Sequence, residues 1–137
     1  MKNKALLFFT LLCFIFAATK AGGNNDKDCE KFKKGTFLLV GSPYKIIRSD
    51  TTQTEINTIT EGYTVLKIKW VSPCQYQLVF LRQHKQTGED YTPPVIQKMT
   101  LTCSIMRTHG DSCFILSAMV SNDFHPQSSI LVLQHDK

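Results

Sequence analysis

The sequence predicts an all-β fold, eight antiparallel strands in an up-and-down meander that curls into a small closed or half-open barrel. Three observations carry this. Apolar residues alternate repeatedly with a period of two, no stretch sustains apolar spacing at three and four residues, and compact turn signals separate the alternating runs. Eight such strands remove their own edges by closing on themselves. A two-sheet sandwich is the competing architecture.

The strands follow in order. Thr36 to Val40 begins after Gly35, and Lys45 to Ser49 follows the turn signal Gly41-Ser42-Pro43. Gln53 to Thr60 is rich in Thr and Ile, as strands are. Glu61-Gly62 then turns the chain into Tyr63 to Trp70, where Leu66, Ile68 and Trp70 face inward and Val65, Lys67 and Lys69 face water. Trp70 is therefore expected in the core. Ser72-Pro73 breaks that strand, and Cys74 to Arg82 places Tyr76, Leu78 and Phe80 on one face. Gln83 to Pro94 reads as a long loop with a stiff Pro93-Pro94 pair. Val95 to Met106 alternates again, with Met99, Leu101, Cys103 and Ile105 on one side. Cys113 to Val120 is nearly all apolar, which predicts cover on both faces. Asn122 to Ser129 reads as a loop, and Ile130 to Gln134 closes the chain.

The N-terminal segment has a different character. Lys2 and Lys4 precede a 14-residue apolar run, Ala5 to Ala18, and Thr19-Lys20-Ala21 offers small residues where a signal peptidase cuts. A helix of that length spans about 21 Å against about 30 Å of hydrocarbon, so a cleaved secretory signal is expected rather than an anchor. Cys13 follows Leu12, not the small residue that precedes a lipidated cysteine. The expected organisation is a signal peptide at 1–21, a flexible leader at 22–28 and a single β domain at 29–137. The mature chain would be exported, periplasmic or secreted, with no stable membrane insertion after cleavage. Without Lys2, Lys4 and Lys20, 13 Lys and Arg face 11 Asp and Glu, a net charge of +2. That balance does not suit a nucleic-acid binder.

With Cys13 assigned to the signal, Cys29, Cys74, Cys103 and Cys113 remain, an even number that suggests disulfides in an oxidising compartment. Three pairings are possible. Cys103 and Cys113 flank the turn-rich Thr108-His109-Gly110-Asp111, which favours a bridge across a hairpin and leaves Cys29 for Cys74. A zinc site from Cys103, His109 and Cys113 has the wrong intervals and no fourth ligand nearby, so no metal is expected.

Cys29-x-x-Phe32-x-x-Gly35-Thr36-Phe37, Ile47-Arg48, Thr51-Thr52-Gln53-Thr54-Glu55 and Trp70-x-Ser72-x-Cys74-x-Tyr76-x-Leu78 together resemble a family of small exported bacterial β proteins with no established activity. Some members carry a topoisomerase-subunit label that an exported chain of this size, lacking the needed domains, does not fit. The resemblance runs from Cys29 to Phe80. It implies an exported β domain in which Cys29 and Cys74 pair, and it supplies no catalytic residue. The opening Gly35-Thr36-Phe37 also resembles the Gly-x-aromatic start of calycin barrels.

Four residues are candidates for ligand binding. Arg48 and Glu55 lie on neighbouring strands either side of a Thr-rich turn. They are expected to meet as a cross-strand ion pair worth roughly 0 to 1 kcal/mol, unless the inward Arg48 holds a ligand carboxylate. Trp70 and Tyr76 either line a pocket or pack as core aromatics beside a disulfide. His109-Gly110-Asp111-Ser112 holds the residue types of a hydrolase triad too close together in one turn to form its relay. There is no phosphate-binding Gly-rich loop, His-Glu-x-x-His or Gly-x-Ser-x-Gly, and Lys31 to Lys34 reads as a solvated approach to the first strand. The expected function is that of an exported, non-enzymatic barrel without a cofactor, binding a small apolar or anionic ligand or an envelope partner. The competing expectation is an interaction protein with a filled core, associating through Cys113 to Val120.

Overall fold

The computed structural model describes residues 27–91, 99–119 and 125–135. The expected signal peptide, most of the expected leader and the Pro93-Pro94 pair lie outside them. A 3-10 turn at Glu30–Phe32 leads into β1 (Gly35–Leu39), β2 (Tyr44–Arg48), β3 (Thr52–Asn57), β4 (Tyr63–Ser72) and β5 (Gln75–His84). The two-residue β6 (Asp90–Tyr91), β7 (Thr100–His109), β8 (Ser112–Met119) and β9 (Gln127–Gln134) complete the order. Eight of these strands form a closed antiparallel barrel. Each pairs with the next, β5 passes to β7, and β9 returns to β1 with Phe37 opposite Leu133. The short β6 sits against the far end of β5, inside what alternation alone reads as loop. β9 also starts three residues earlier than Ile130, and β7 runs three residues past Met106.

Inward positions follow the period of two. Phe37, Ile46, Ile68, Tyr76, Leu78, Phe80, Ile105, Ile115 and Leu131 are all buried. Each such side chain contributes about 1.5–3 kcal/mol by leaving water. One end of the barrel is plugged. Phe32 from the 3-10 turn is completely buried there, 6.1 Å from the Phe37 ring. A disulfide from Cys29 to Cys74, with Cα atoms 5.3 Å apart, fastens the turn to the β4–β5 connection. Gly35 has φ +127°, and a Cβ there would stand 3.1 Å from the Leu133 side chain. Only glycine lets the chain leave the plug and enter β1 so close to β9.

Two expectations about β7 and β8 are corrected. Cys103 and Cys113 are free, buried thiols, not a disulfide. The hairpin turns at Gly110-Asp111 with His109 opposite Ser112, so Cys103 faces Ser117 and Cys113 faces Thr108. The hairpin centre lies C-terminal to the midpoint of the two cysteines, and a bulge between Ile105 and Arg107 adds to the offset. Four residues of strand, about 13 Å, separate Cys113 from the position opposite Cys103. Alkylation in denaturant without reductant should therefore label Cys103 and Cys113, whereas Cys29 and Cys74 should react only after reduction. Protection of all four until reduction would contradict the register.

The second correction concerns cover. Cys113 and Ile115 point inward and are buried, but Leu116 is exposed and Phe114 is half-buried with the Arg107 guanidinium 5.1 Å from its ring centre. A single-layer barrel wall has one dry face, and no second layer covers β8 among the described residues.

Candidate functional site

A polar cluster runs through the apolar interior. Arg48 ends β2 directly opposite Gln53 on β3, and both are buried, at 4% and 2% exposure. Arg48 Nε donates to Gln53 Oε1 at 2.7 Å, Nη1 donates to the Phe32 carbonyl at 2.8 Å, and Nη2 donates to the Tyr76 hydroxyl. The guanidinium also lies 4.5 Å from the Tyr76 ring centre and 5.3 Å from that of Phe37. These contacts tie β2, β3, β5 and the plug to one cation.

Arg48 and Glu55 do not meet directly. Glu55 stands opposite Ile46, two residues beyond Gln53 on the same face of β3. Gln53 bridges them, because accepting from Arg48 through its oxygen turns its amide nitrogen toward Glu55 Oε1, 2.7 Å away. The expected surface-type ion pair is thus a relay, Arg48–Gln53–Glu55, from a buried guanidinium to a half-buried carboxylate. The register of a tight β2–β3 connection at 49–51 puts residues 48 and 53 opposite each other, which leaves 55 one pleat deeper.

Tyr76 faces Cys103 across β5 and β7, and Cys103 Sγ lies 3.3 Å from Ser117 Oγ. Burial pushes the Tyr76 phenol well above its ordinary value and raises the Cys103 thiol, while the Cys113 thiol is pushed up to about 11. Such thiols stay protonated at neutral pH and are poor nucleophiles.

Trp70 occupies the inward face as alternation predicts, but it is half-buried rather than sunk in the core. Its ring centre lies 4.8 Å from that of Tyr76, and Lys33 Nζ sits 5.4 Å above it. β4 ends two residues later, so the sheet gives out around the indole and a lysine stem provides part of its cover. Trp70 belongs to the plugged end.

The opposite end holds a cavity of about 290 Å³. Glu55, Thr64 and Gln83 form one cross-strand row over β3, β4 and β5, with Tyr44 opposite Asn57 one level further out. All five line the cavity, and the β3–β4 turn with Lys85 to Thr87 forms its rim. Tyr63 stacks on His84 with ring centres 5.0 Å apart, and His84 Nδ1 lies 2.9 Å from Asp90. Glu55 is the only carboxylate in this lining. Its Oε1 accepts from Gln53, and no hydrogen bond to Oε2 occurs among the described residues. No buried side-chain oxygen there goes unpaired, which leaves Oε2 in reach of the cavity.

Burial raises the Glu55 carboxyl above its ordinary value, against the Gln53 hydrogen bond and the Arg48 charge, which lower it. The folded chain then holds that proton more tightly than the unfolded chain. The stability this provides is complete below the unfolded pKa and is lost as pH rises through the folded one. Urea titrations across that window should show stability falling in the native chain and falling less in Glu55→Gln. Identical pH profiles would show that this carboxyl is not buried as described.

Of the four sequence candidates, Arg48, Trp70 and Tyr76 gather near the plug, and only Glu55 reaches the cavity. Tyr44, Asn57, Thr64 and Gln83 escape alternation-based reading. The register shift between Val65 and Leu66 turns Gln83, rather than Arg82, toward Thr64. Gln53 carried a signal in its position, two residues before Glu55 on an inward-facing strand.

Elsewhere, Asp111 in the β7–β8 turn contacts Lys31 Nζ at 3.2 Å and His135 Nε2 at 2.8 Å, which pins the chain ends beside the plug. No group of three or more His, Cys, Asp or Glu is placed to hold a metal among the described residues. The fold and site define a plugged, eight-stranded antiparallel β-barrel with one internal disulfide. No protein-family model matches the chain, and no curated protein matches it.

Proposed function

We propose that this chain is an exported, non-enzymatic binding barrel that holds a small polar ligand at the end opposite its plug. The observation that carries the reading is the cavity floored by the row Glu55–Thr64–Gln83, three hydrogen-bonding side chains converging on a space of about 290 Å³. That is close to the lower size of ordinary ligand sites, and a few convergent polar groups are what such sites use for orientation. The geometry favours a polar ligand over the apolar or anionic one that composition suggested, because Arg48 is committed to Gln53, Phe32 and Tyr76. Among the described residues the free cysteines are buried, protonated thiols without an activating base, which fits binding better than catalysis.

Export rests on the signal-like N-terminus and on the disulfide, which suits an oxidising compartment. Among the described residues no helix is long and apolar enough to cross a membrane. In this reading the chain stands with the small exported bacterial β proteins that it resembles, begins at Gly22 after cleavage, and works in the periplasm or outside the cell. An envelope protein remains the alternative partner, meeting the rim.

Native mass spectrometry of the chain purified from its own host tests the proposal. A retained small molecule, lost on denaturation and protecting Asn57, Thr64 and Gln83 from hydrogen exchange, is the expected result. An unliganded chain that copurifies with a protein partner would overturn it in favour of the filled-core interaction reading.

A further inference from the structure

The cavity chemistry narrows the ligand class. Resting on the binding-barrel reading, we infer that the cavity recognises a small organic amine, its ammonium group bound by Glu55 Oε2 and its carbon body lying against Tyr44. Four features support this.

First, the floor presents a carboxylate oxygen without a donor among the described residues, beside one that the Arg48–Gln53 relay holds in place. The relay fixes the direction of the carboxylate, and pre-organised charge of this kind discriminates by sign. An anionic headgroup would face repulsion from Glu55, whereas Arg48 cannot reach it because Gln53 stands between. Second, Thr64 and Gln83, in the same cross-strand row as Glu55, carry acceptor oxygens that can take the remaining N–H bonds of an ammonium group.

Third, a tyrosine lines the wall: Tyr44, opposite Asn57 on the face that carries Glu55, is 38% exposed. Aromatic faces attract cations and cover flat carbon skeletons at little entropic cost. Fourth, the size is right for such a molecule. A space of about 290 Å³ takes about ten non-hydrogen atoms at the roughly 30 Å³ that a water-sized group occupies in a liquid. Lys85 and His84 are the other ionisable groups at the rim. His84 is engaged by Asp90, and both residues belong to the outer edge rather than to the row that holds Glu55.

Three probes that share one ring and differ only in headgroup test the inference on the isotope-labelled chain. They are tyramine, its alcohol counterpart tyrosol and the acid 4-hydroxyphenylacetate. Tyramine should shift the amide resonances of Glu55, Asn57, Thr64 and Gln83, with the alcohol and the acid binding at least about tenfold more weakly, as expected for a charge-assisted contact. Glu55→Gln should weaken tyramine at least about tenfold and leave tyrosol unchanged, with an intact melting transition. Should that variant not fold, Tyr44→Leu at the exposed edge should weaken tyramine more than tyrosol. Equal affinity for all three probes, or tyramine binding untouched by Glu55→Gln, would overturn the amine assignment and leave the binding cavity standing. If none of the three shifts these resonances, the amine assignment also falls, and the mass spectrum of the host-purified chain decides the binding reading separately.

Discussion

Arg48→Met is expected to cost about 3–5 kcal/mol, the range seen when one member of a buried charged network is removed. The replacement fills similar space but leaves the Phe32 carbonyl, the Gln53 amide oxygen and the Tyr76 hydroxyl without the donor that each now has. It also removes the cation that offsets Glu55. Against a total of about 5–15 kcal/mol for a domain of this size, the variant should be largely unfolded in mild denaturant. Arg48→Lys should recover only part of the loss, since one ammonium cannot span three acceptors fixed in the plane of a guanidinium. A loss below about 1 kcal/mol for Arg48→Met would instead indicate an exposed cross-strand pair.

Removing the Cys29–Cys74 bridge is the second large effect. The bridge closes a loop with a sequence separation of 45, and loop entropy alone assigns it about 4 kcal/mol. Its loss also frees the turn that carries Phe32, the residue that seals the barrel and accepts from Arg48. The double variant Cys29→Ala/Cys74→Ala should melt roughly 15 °C or more below the native chain, and a reducing agent should lower the native melting point to match. The double variant Cys103→Ser/Cys113→Ser should not respond to reductant differently from the native chain, because those thiols form no bond. Insensitivity of the native chain to reductant would count against the bridge as a support of the plug.

The two effects meet at one end of the molecule. Disulfide, buried guanidinium and Phe32 together make that end rigid, and the Gln53 relay carries the rigidity to Glu55. The carboxylate at the far end is thereby held through Gln53.

Much of this was legible in residue order. Strict alternation in Tyr63 to Trp70 and in Cys74 to Arg82 sets which side chains enter the core, and Ile68, Tyr76, Leu78 and Phe80 are all buried where that alternation places them. Arg48 reads there as half of a cross-strand ion pair, its inward placement only the alternative, and the Cys29–Cys74 pairing is reached from the family resemblance and by elimination through a Cys103–Cys113 bridge that does not form. Two of the failures are failures of register. Cys103 and Cys113 look symmetrical about a turn, yet the hairpin pivots beyond their midpoint. Arg48 and Glu55 look like partners, yet Gln53 takes the facing position. Trp70 has the correct facing but lies too near a strand end for burial.

The sequence by itself determined the strands, their inward faces and the count that lets them close, because the pleat alternates side chains locally, whatever lies across from them. Only the tertiary structure decided which residues oppose each other, that the N-terminal turn seals one end, and that Glu55, Thr64 and Gln83 form the floor of a cavity. Opposition depends on turn geometry and on single-residue bulges, such as those at Val65/Leu66 and Ile105/Arg107. One extra residue in a strand reverses the facing of everything beyond it. That choice is made by the sum of contacts around the closed ring, which no single segment contains.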